Sequence, residues 1–417
     1  MTAATNLPLS PARLWASLDA MARVGGTPRG GCDRQAGTPE DGEGRALLAR
    51  WGRECGLALT VDRVGNMALR REGSDPHARP VAFGSHLDTQ PTGGRYDGVL
   101  GVLAGLEVMR ALDEAGVRTR APLVLINWTN EEGARFPPPM LGSGAAMGVF
   151  PEAEALARPD LVAGTTLGDA LRSIGWAGDA DPADLRGLAA YLELHIEQGP
   201  VLEAEGVPVG VVTHALAQSW YDVTVRGADS HAGGPMAHRR DALAAAARLV
   251  AAVEEIALAA GADARGTVGR LDLAPGSRNV VPGEVRCAVD FRHGDEGALA
   301  AMGEALRARA AALAAERGVE VAVEPFWHSP LTPFDDALCA RLREAADRAG
   351  LARRDMPTGI GHDAVYVARR VPTAMVFVPC HGGVSHNEAE SIAPEWAEAG
   401  LRVLAGAVLA TAGVGGA

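Results

Sequence analysis

The chain has 417 residues, 47% of them hydrophobic, and sets 39 Lys and Arg against 52 Asp and Glu for a formal charge of -13. It is too long for one compact core and too apolar to stay disordered, so two domains, or one interrupted by another, are expected. The charge, with no Lys/Arg cluster, excludes a nucleic-acid or anionic-membrane surface as partner, and five scattered cysteines without a CxxC pair read as unpaired thiols of a reducing compartment.

Residues 1–15 lack a basic region followed by an apolar run, and no stretch reaches the ~20 apolar residues of a membrane span. A cytoplasmic protein is expected. Short apolar runs at 80–84, Leu123–Trp128, 191–194 and Thr373–Val378 end in polar or glycine-rich turns and predict buried strands. Between the first two, residues 99–112 place Val102, Leu103, Leu106, Val108, Met109 and Leu112 on a helical stripe. Strands alternating with helices predict an α/β sheet. The middle of the chain differs: 221–226 and 285–292 alternate as strands, and Ala242–Ala260 and 298–317 are Ala-rich helices. Two strands and two helices predict a small α+β domain over 213–329, inserted into an α/β domain made of 1–212 and 330–417.

The chemistry gathers at the strand exits. Gly84-Ser85-His86-Leu87-Asp88-Thr89 and Asp97 follow the first run, at the place where an open α/β sheet builds its site. His86 and Asp97 are ligand candidates, and Asp88 suits orienting the His86 ring from behind. The second run leads into Glu131-Glu132, adjacent carboxylates that repel unless a cation or proton separates their roles. One resolution makes Glu132 a metal ligand and Glu131 the general base. The third run carries His195 and the fourth leads to His386. Either histidine alone reads more readily as a structural residue, but the clusters together make a donor set suited to Zn, Mn, Co or Ni.

The motifs GSHLDT, GGRYDGVLGVLAGLEV, NWTNEEGARF, LELHIEQGPVLE, GSRNVVPGEV, DFRH, GIGHDA and GVSHNEAE occur in order over nearly the whole chain. They resemble the N-carbamoyl-L-amino-acid hydrolases, β-ureidopropionases and allantoate amidohydrolases. The resemblance implies an α/β catalytic domain of mixed sheet and flanking helices, an inserted lid domain that forms a homodimer, and two divalent metal ions per subunit. It makes Asp97 the bridging ligand, with His86 and His195 on one ion, Glu132 and His386 on the other, and Glu131 as base. It further assigns His231 to the developing oxyanion across the dimer, Asn279 and Arg292 to the substrate carboxylate, and Gln198, Gly361 and His362 to substrate contacts. Read without the resemblance, Arg292 is a surface ion-pair partner.

Relatives that cut peptides often carry a carboxylate where this chain has His195, which favours a small carboxylate-bearing ureido substrate. Allantoate remains the alternative within the family. An aminoacylase or dipeptidase, or a non-catalytic binding protein, are the alternatives outside it. One departure stands out: His231-Ala232-Gly233-Gly234-Pro235-Met236 is one residue shorter than the family's usual loop.

Overall fold

A computed structural model describes residues 7–161 and 164–414. The first six residues of the N-terminal stretch read above lie outside them. The chain divides into two compact units, one of residues 1–213 with 333–417 and one of 214–332.

The larger unit is built on a mixed sheet. At its centre the strands Leu123–Trp128, Val81–His86, Ala190–Ile196 and Thr373–Val378 lie side by side, each parallel to the next. All four are buried along their whole length, which is why they read as continuous apolar runs rather than as alternation. Antiparallel strands flank them, Met67–Arg71 beside Leu123–Trp128 and Val209–Ala215 beside Thr373–Val378. The predicted helix forms over Val99–Glu114 and is buried on nearly every side. Gly101 allows that approach, because a Cβ there would sit 2.3 Å from the Leu194 carbonyl oxygen. Helix Pro394–Ala412 joins it in the core with Leu401, Val403, Leu404 and Val408.

The smaller unit contains four long strands, where the sequence pattern indicated two. Their order is Glu320–Ser329, Ala217–Arg226, Glu284–His293 and Arg265–Ala274, all antiparallel. The two unanticipated strands are the edges. Arg265–Ala274 is exposed almost throughout, so burial imposes no alternation on it, and Glu320–Ser329 is interrupted by an irregularity between Pro325 and Trp327. The inner strands supply Tyr221, Val223, Val225, Val289 and Phe291 to a core closed by Leu249 and Val253 of helix Ala242–Ala260 and Leu299, Met302 and Leu306 of helix Glu296–Arg317. Each such side chain contributes roughly 1.5–3 kcal/mol on full burial. All five cysteines are free, four of them buried. No helix among the described residues is long and apolar enough to cross a membrane.

Candidate metal centre

Parallel strands deliver their C-terminal ends to one edge of a sheet, so His86, the Glu131-Glu132 pair, His195 and the loop carrying His386 all emerge there. Asp97 arrives from the turn before helix Val99–Glu114. At that turn Gly98 has φ 64°, and a Cβ would lie 2.3 Å from His86 Nε2, so only glycine lets the turn pass the imidazole.

The side chains form two groups that share Asp97: His86, Asp97 and His195 in one, Asp97, Glu132 and His386 in the other. Asp97 Oδ1 lies 3.1 Å from His195 Nε2 and 3.7 Å from His86 Nε2. Its other oxygen, Oδ2, lies 3.3 Å from His386 Nε2, which is 3.2 Å from Glu132 Oε2. Gln198 Nε2 donates to Asp97 Oδ2 at 2.8 Å, and Gln90 Nε2 donates to Glu132 Oε2 at 2.8 Å. Asn130, Gln198 and His386 all adopt left-handed backbone conformations, at a cost of order 1–3 kcal/mol each for the non-glycine case. Strain thus collects in the loops that carry the site.

Ring tautomers follow from the main chain. His86 Nδ1 is 2.9 Å from the Asp88 carbonyl and His195 Nδ1 is 2.9 Å from the Ile196 carbonyl. A carbonyl only accepts, so each Nδ1 carries its hydrogen, and each ring when neutral presents a lone pair at Nε2. The His86 Nε2 atom is buried without a hydrogen-bond partner. His195 Nε2 faces a carboxylate oxygen and the Gly98 amide, 3.1 Å away. Lone pairs of imidazole and carboxylate turned toward one another in a buried space call for a cation, and this donor set fits two divalent ions.

Asp88 meets the His86 ring from behind with its main chain. It orients the His86 ring through its carbonyl, while its carboxylate accepts the Glu131 and Glu132 amides, both at 3.2 Å. The side chain is drawn to those two buried donors, leaving its Oδ1 3.9 Å from His86 Nδ1.

Charge confirms how compressed the site is. Burial, with Asp363, Glu132, Asp97 and Asp88 nearby, pushes Glu131 well above the usual carboxylate range. Burial also raises Asp88 to about 6 and, with Asp97 adding to it, Glu390 to about 7. Burial alone would raise Asp97 too, but the His195 and His386 imidazoles hold it well below its ordinary value. Asp97 and Glu132 in turn raise His386 to about 11. Glu131 Oε2 stands 3.5 Å from His86 Nε2, at the margin of the first group.

Behind the ligands lies a buried polar layer that sequence reading missed. Glu193 accepts from Ser85 Oγ at 2.7 Å, the Ala364 amide at 3.1 Å and Tyr191 OH at 3.2 Å. Its signal was available: Glu193 and His195 are two apart on a strand and so share a face. His362 packs its edge on the His195 ring, 4.5 Å between centroids, and is 1% exposed, with Nε2 lacking a partner. A substrate could meet it only through a space the surrounding side chains open. Gly361 is half-buried beside Met140.

The remaining candidates belong to the smaller unit. His231 is exposed on a two-stranded ribbon in which Ser230–His231 pairs with Val280–Val281, and the Ala232 amide donates to the Asn279 carbonyl at 2.8 Å. The ribbon thus holds His231 and Asn279 side by side. The Gly233 amide donates to His231 Nδ1 at 3.0 Å, so the ring hydrogen sits on Nε2 and faces outward as a donor. Arg239 Nη2 donates to the Ala232 and Gly234 carbonyls, clamping the shortened loop. Arg292 is ion-paired with Asp290 two positions back on the same strand face.

Residues 82–410 match Peptidase family M20/M25/M40. The N-carbamoyl-L-amino-acid amidohydrolase of Rhizobium meliloti is 47% identical over 96% of this chain and 96% of its own length. The allantoate amidohydrolase of Bacillus subtilis (strain 168) is 33% identical over 92% and 93%. Among solved structures, an amidase of the hydantoinase/carbamoylase family from Burkholderia multivorans superposes with a TM-score of 0.91 at 49% identity, covering 97% of this chain and 98% of that one. With fold, strand-end motifs and whole-length similarity in agreement, the chain belongs to Peptidase family M20/M25/M40 and, within it, to the hydantoinase/carbamoylase amidases.

Proposed function

We propose that this protein hydrolyses the ureido C–N bond of an N-carbamoyl-L-amino acid or β-ureido acid. One water is consumed, and the free amino acid, ammonia and carbon dioxide are released. The observation that carries the reading is the pair of ligand groups sharing Asp97 with Glu131 at their margin. His86, His195 and Asp97 would hold one ion, and Glu132, His386 and Asp97 the other. When bound, the ions supply positive charge that polarises the scissile carbonyl and acidifies the attacking water; Zn, Mn, Co and Ni all suit these donors.

Glu131 takes the proton from the attacking water and returns it to the leaving nitrogen. Its raised affinity for protons, set by burial among other carboxylates, favours the first transfer. His231, with its hydrogen on Nε2, donates to the oxyanion that develops on the carbonyl oxygen. Asn279 and Arg292 bind the substrate carboxylate, where the guanidinium fork fixes orientation as well as charge. Gln198, held by Asp97 and Ser385, touches the substrate beside the metal ions, with Gly361 and His362 further in. In this reading 214–332 acts as a lid and dimerisation domain, a second copy supplies His231, and five free thiols suit a cytoplasmic setting.

The test is ammonia release by metal-depleted protein and by protein refilled with Mn, Co, Ni or Zn. The substrates are N-carbamoyl-L-amino acids, N-carbamoyl-β-alanine, allantoate and an N-acetyl amino acid. Metal-restored turnover of a carbamoyl or β-ureido acid is expected. Turnover of allantoate alone moves the assignment to the second reading, which the Bacillus subtilis relative supports. Activity confined to the N-acetyl substrate makes the protein an aminoacylase, and inactivity on all four makes it a binding protein.

A further inference from the structure

We infer that Glu390 is a positioning residue that ties the loop carrying Asp97 to the loop carrying His386, and so sets the affinity for the second metal ion. The inference rests on Asp97 being shared by the two ligand groups.

Glu390 is 3% exposed and spends its carboxylate on both loops. Its Oε1 accepts the Tyr96 amide at 2.9 Å and the Asp97 amide at 3.1 Å, fixing the main chain from which the shared ligand projects. Its Oε2 accepts from Ser385 Oγ at 3.0 Å, one residue before His386. The fit is tight from the opposite side as well. A Cβ on Gly94 would lie 1.9 Å from the Glu390 carboxyl carbon and 2.0 and 2.2 Å from its oxygens, so the absence of a side chain at 94 makes room for this carboxylate.

The hydroxyl of Ser385 links this contact to the metal site. It has one hydrogen and two candidate acceptors, Glu390 Oε2 at 3.0 Å and Asp97 Oδ2 at 3.1 Å. Gln198 Nε2 donates to both Ser385 Oγ, at 2.9 Å, and Asp97 Oδ2, at 2.8 Å. A carboxylate at 390 draws the Ser385 hydrogen toward itself. Asp97 Oδ2 then receives only the Gln198 amide and keeps its other lone pair for the cation it shares with His386 and Glu132. Glu390 thereby does two things, placing the Asp97 main chain and keeping the Asp97 oxygen available.

Three variants separate these effects, each titrated as the metal-free full chain with Mn²⁺ by calorimetry, with thermal melting as the measure of folding. Glu390→Ala removes both effects and is expected to bind one of its two Mn²⁺ equivalents about 10- to 100-fold more weakly, the usual cost of losing a residue that orients a ligand. Gly94→Ala pushes the carboxylate aside with one methyl group and is expected to do the same. Glu390→Gln keeps an oxygen for the two amides but can donate to Ser385, turning the hydroxyl toward Asp97, and is expected to fall between. If Glu390→Ala does not fold, Gly94→Ala decides. Native Mn²⁺ affinity for both equivalents in the folded alanine variants would overturn the inference. Fewer than two equivalents in the native protein would instead overturn the two-ion reading beneath it.

Discussion

In the larger unit, His86, Asp97 and His195 are no more than 3% exposed, and the Asp88 and Ile196 carbonyls and the Gln198 amide, all in the same unit, hold their Nδ1 and Oδ2 atoms. In the smaller unit, His231 is exposed on a short ribbon and is held mainly through backbone amides of its own loop. The first arrangement stores charge: carboxylates and imidazoles are pressed together where burial makes electrostatic interactions strong. The second stores orientation, since the Gly233 amide selects a tautomer and the Arg239 clamp holds the loop, yet the donor itself faces outward. Buried groups can be held by packing, while an exposed group depends on local hydrogen bonds.

The contrast can be broken most severely by stripping the metal. Chelation is expected to reduce ammonia release to background and to be reversed by divalent ions, as followed by turnover and by elemental analysis of the protein. Activity that survives complete removal would eliminate the two-ion reading. Next in size is Glu131→Gln, which should lower kcat by about 10²- to 10⁴-fold while leaving metal content intact. Full activity in that variant would remove Glu131 from the mechanism.

His231→Ala probes the exposed arm. It should cost about 10²- to 10³-fold in kcat with little change in melting temperature, because the side chain is exposed. A large fall in Tm would mean that the ribbon is structural. If His231 is supplied by a second copy, mixing this variant with Glu131→Gln should restore part of the activity, and sedimentation should find dimers. The smallest effect is expected from Arg292→Lys, which keeps the charge but loses the planar fork. A rise in KM of about tenfold, with kcat nearly unchanged, is the expected signature. An unchanged KM would leave Arg292 with a structural role, its ion pair to Asp290 included.

Much of this could be read before any coordinates. The runs Leu123–Trp128 and Thr373–Val378 announce buried strands because both faces are covered. The helix Ala242–Ala260 is legible from propensity and periodicity alone. His86, Asp97, Glu132, His195 and His386 stand out because charged groups at the ends of apolar strands are chemically conspicuous. The strand Arg265–Ala274 escaped notice because it is an exposed edge without an apolar face to enforce alternation. For Asp88, sequence distance reveals proximity to His86 but not whether carbonyl or carboxylate makes the contact.

What the sequence determined by itself is therefore local: strand and helix identities, the types of ligand, and the order in which they occur. Family resemblance extended that list to residues such as His231 and Asn279, whose surroundings no spacing rule describes. Tertiary structure alone decided that Asp97 turns one oxygen to each ligand group, that the Gly233 amide sets the His231 tautomer, and that Glu390 reaches back across 293 positions to the Asp97 amide. The reason is physical. Secondary structure depends on neighbours a few residues apart, whereas a hydrogen bond in a buried site depends on angles and distances between segments that meet only when the chain is folded.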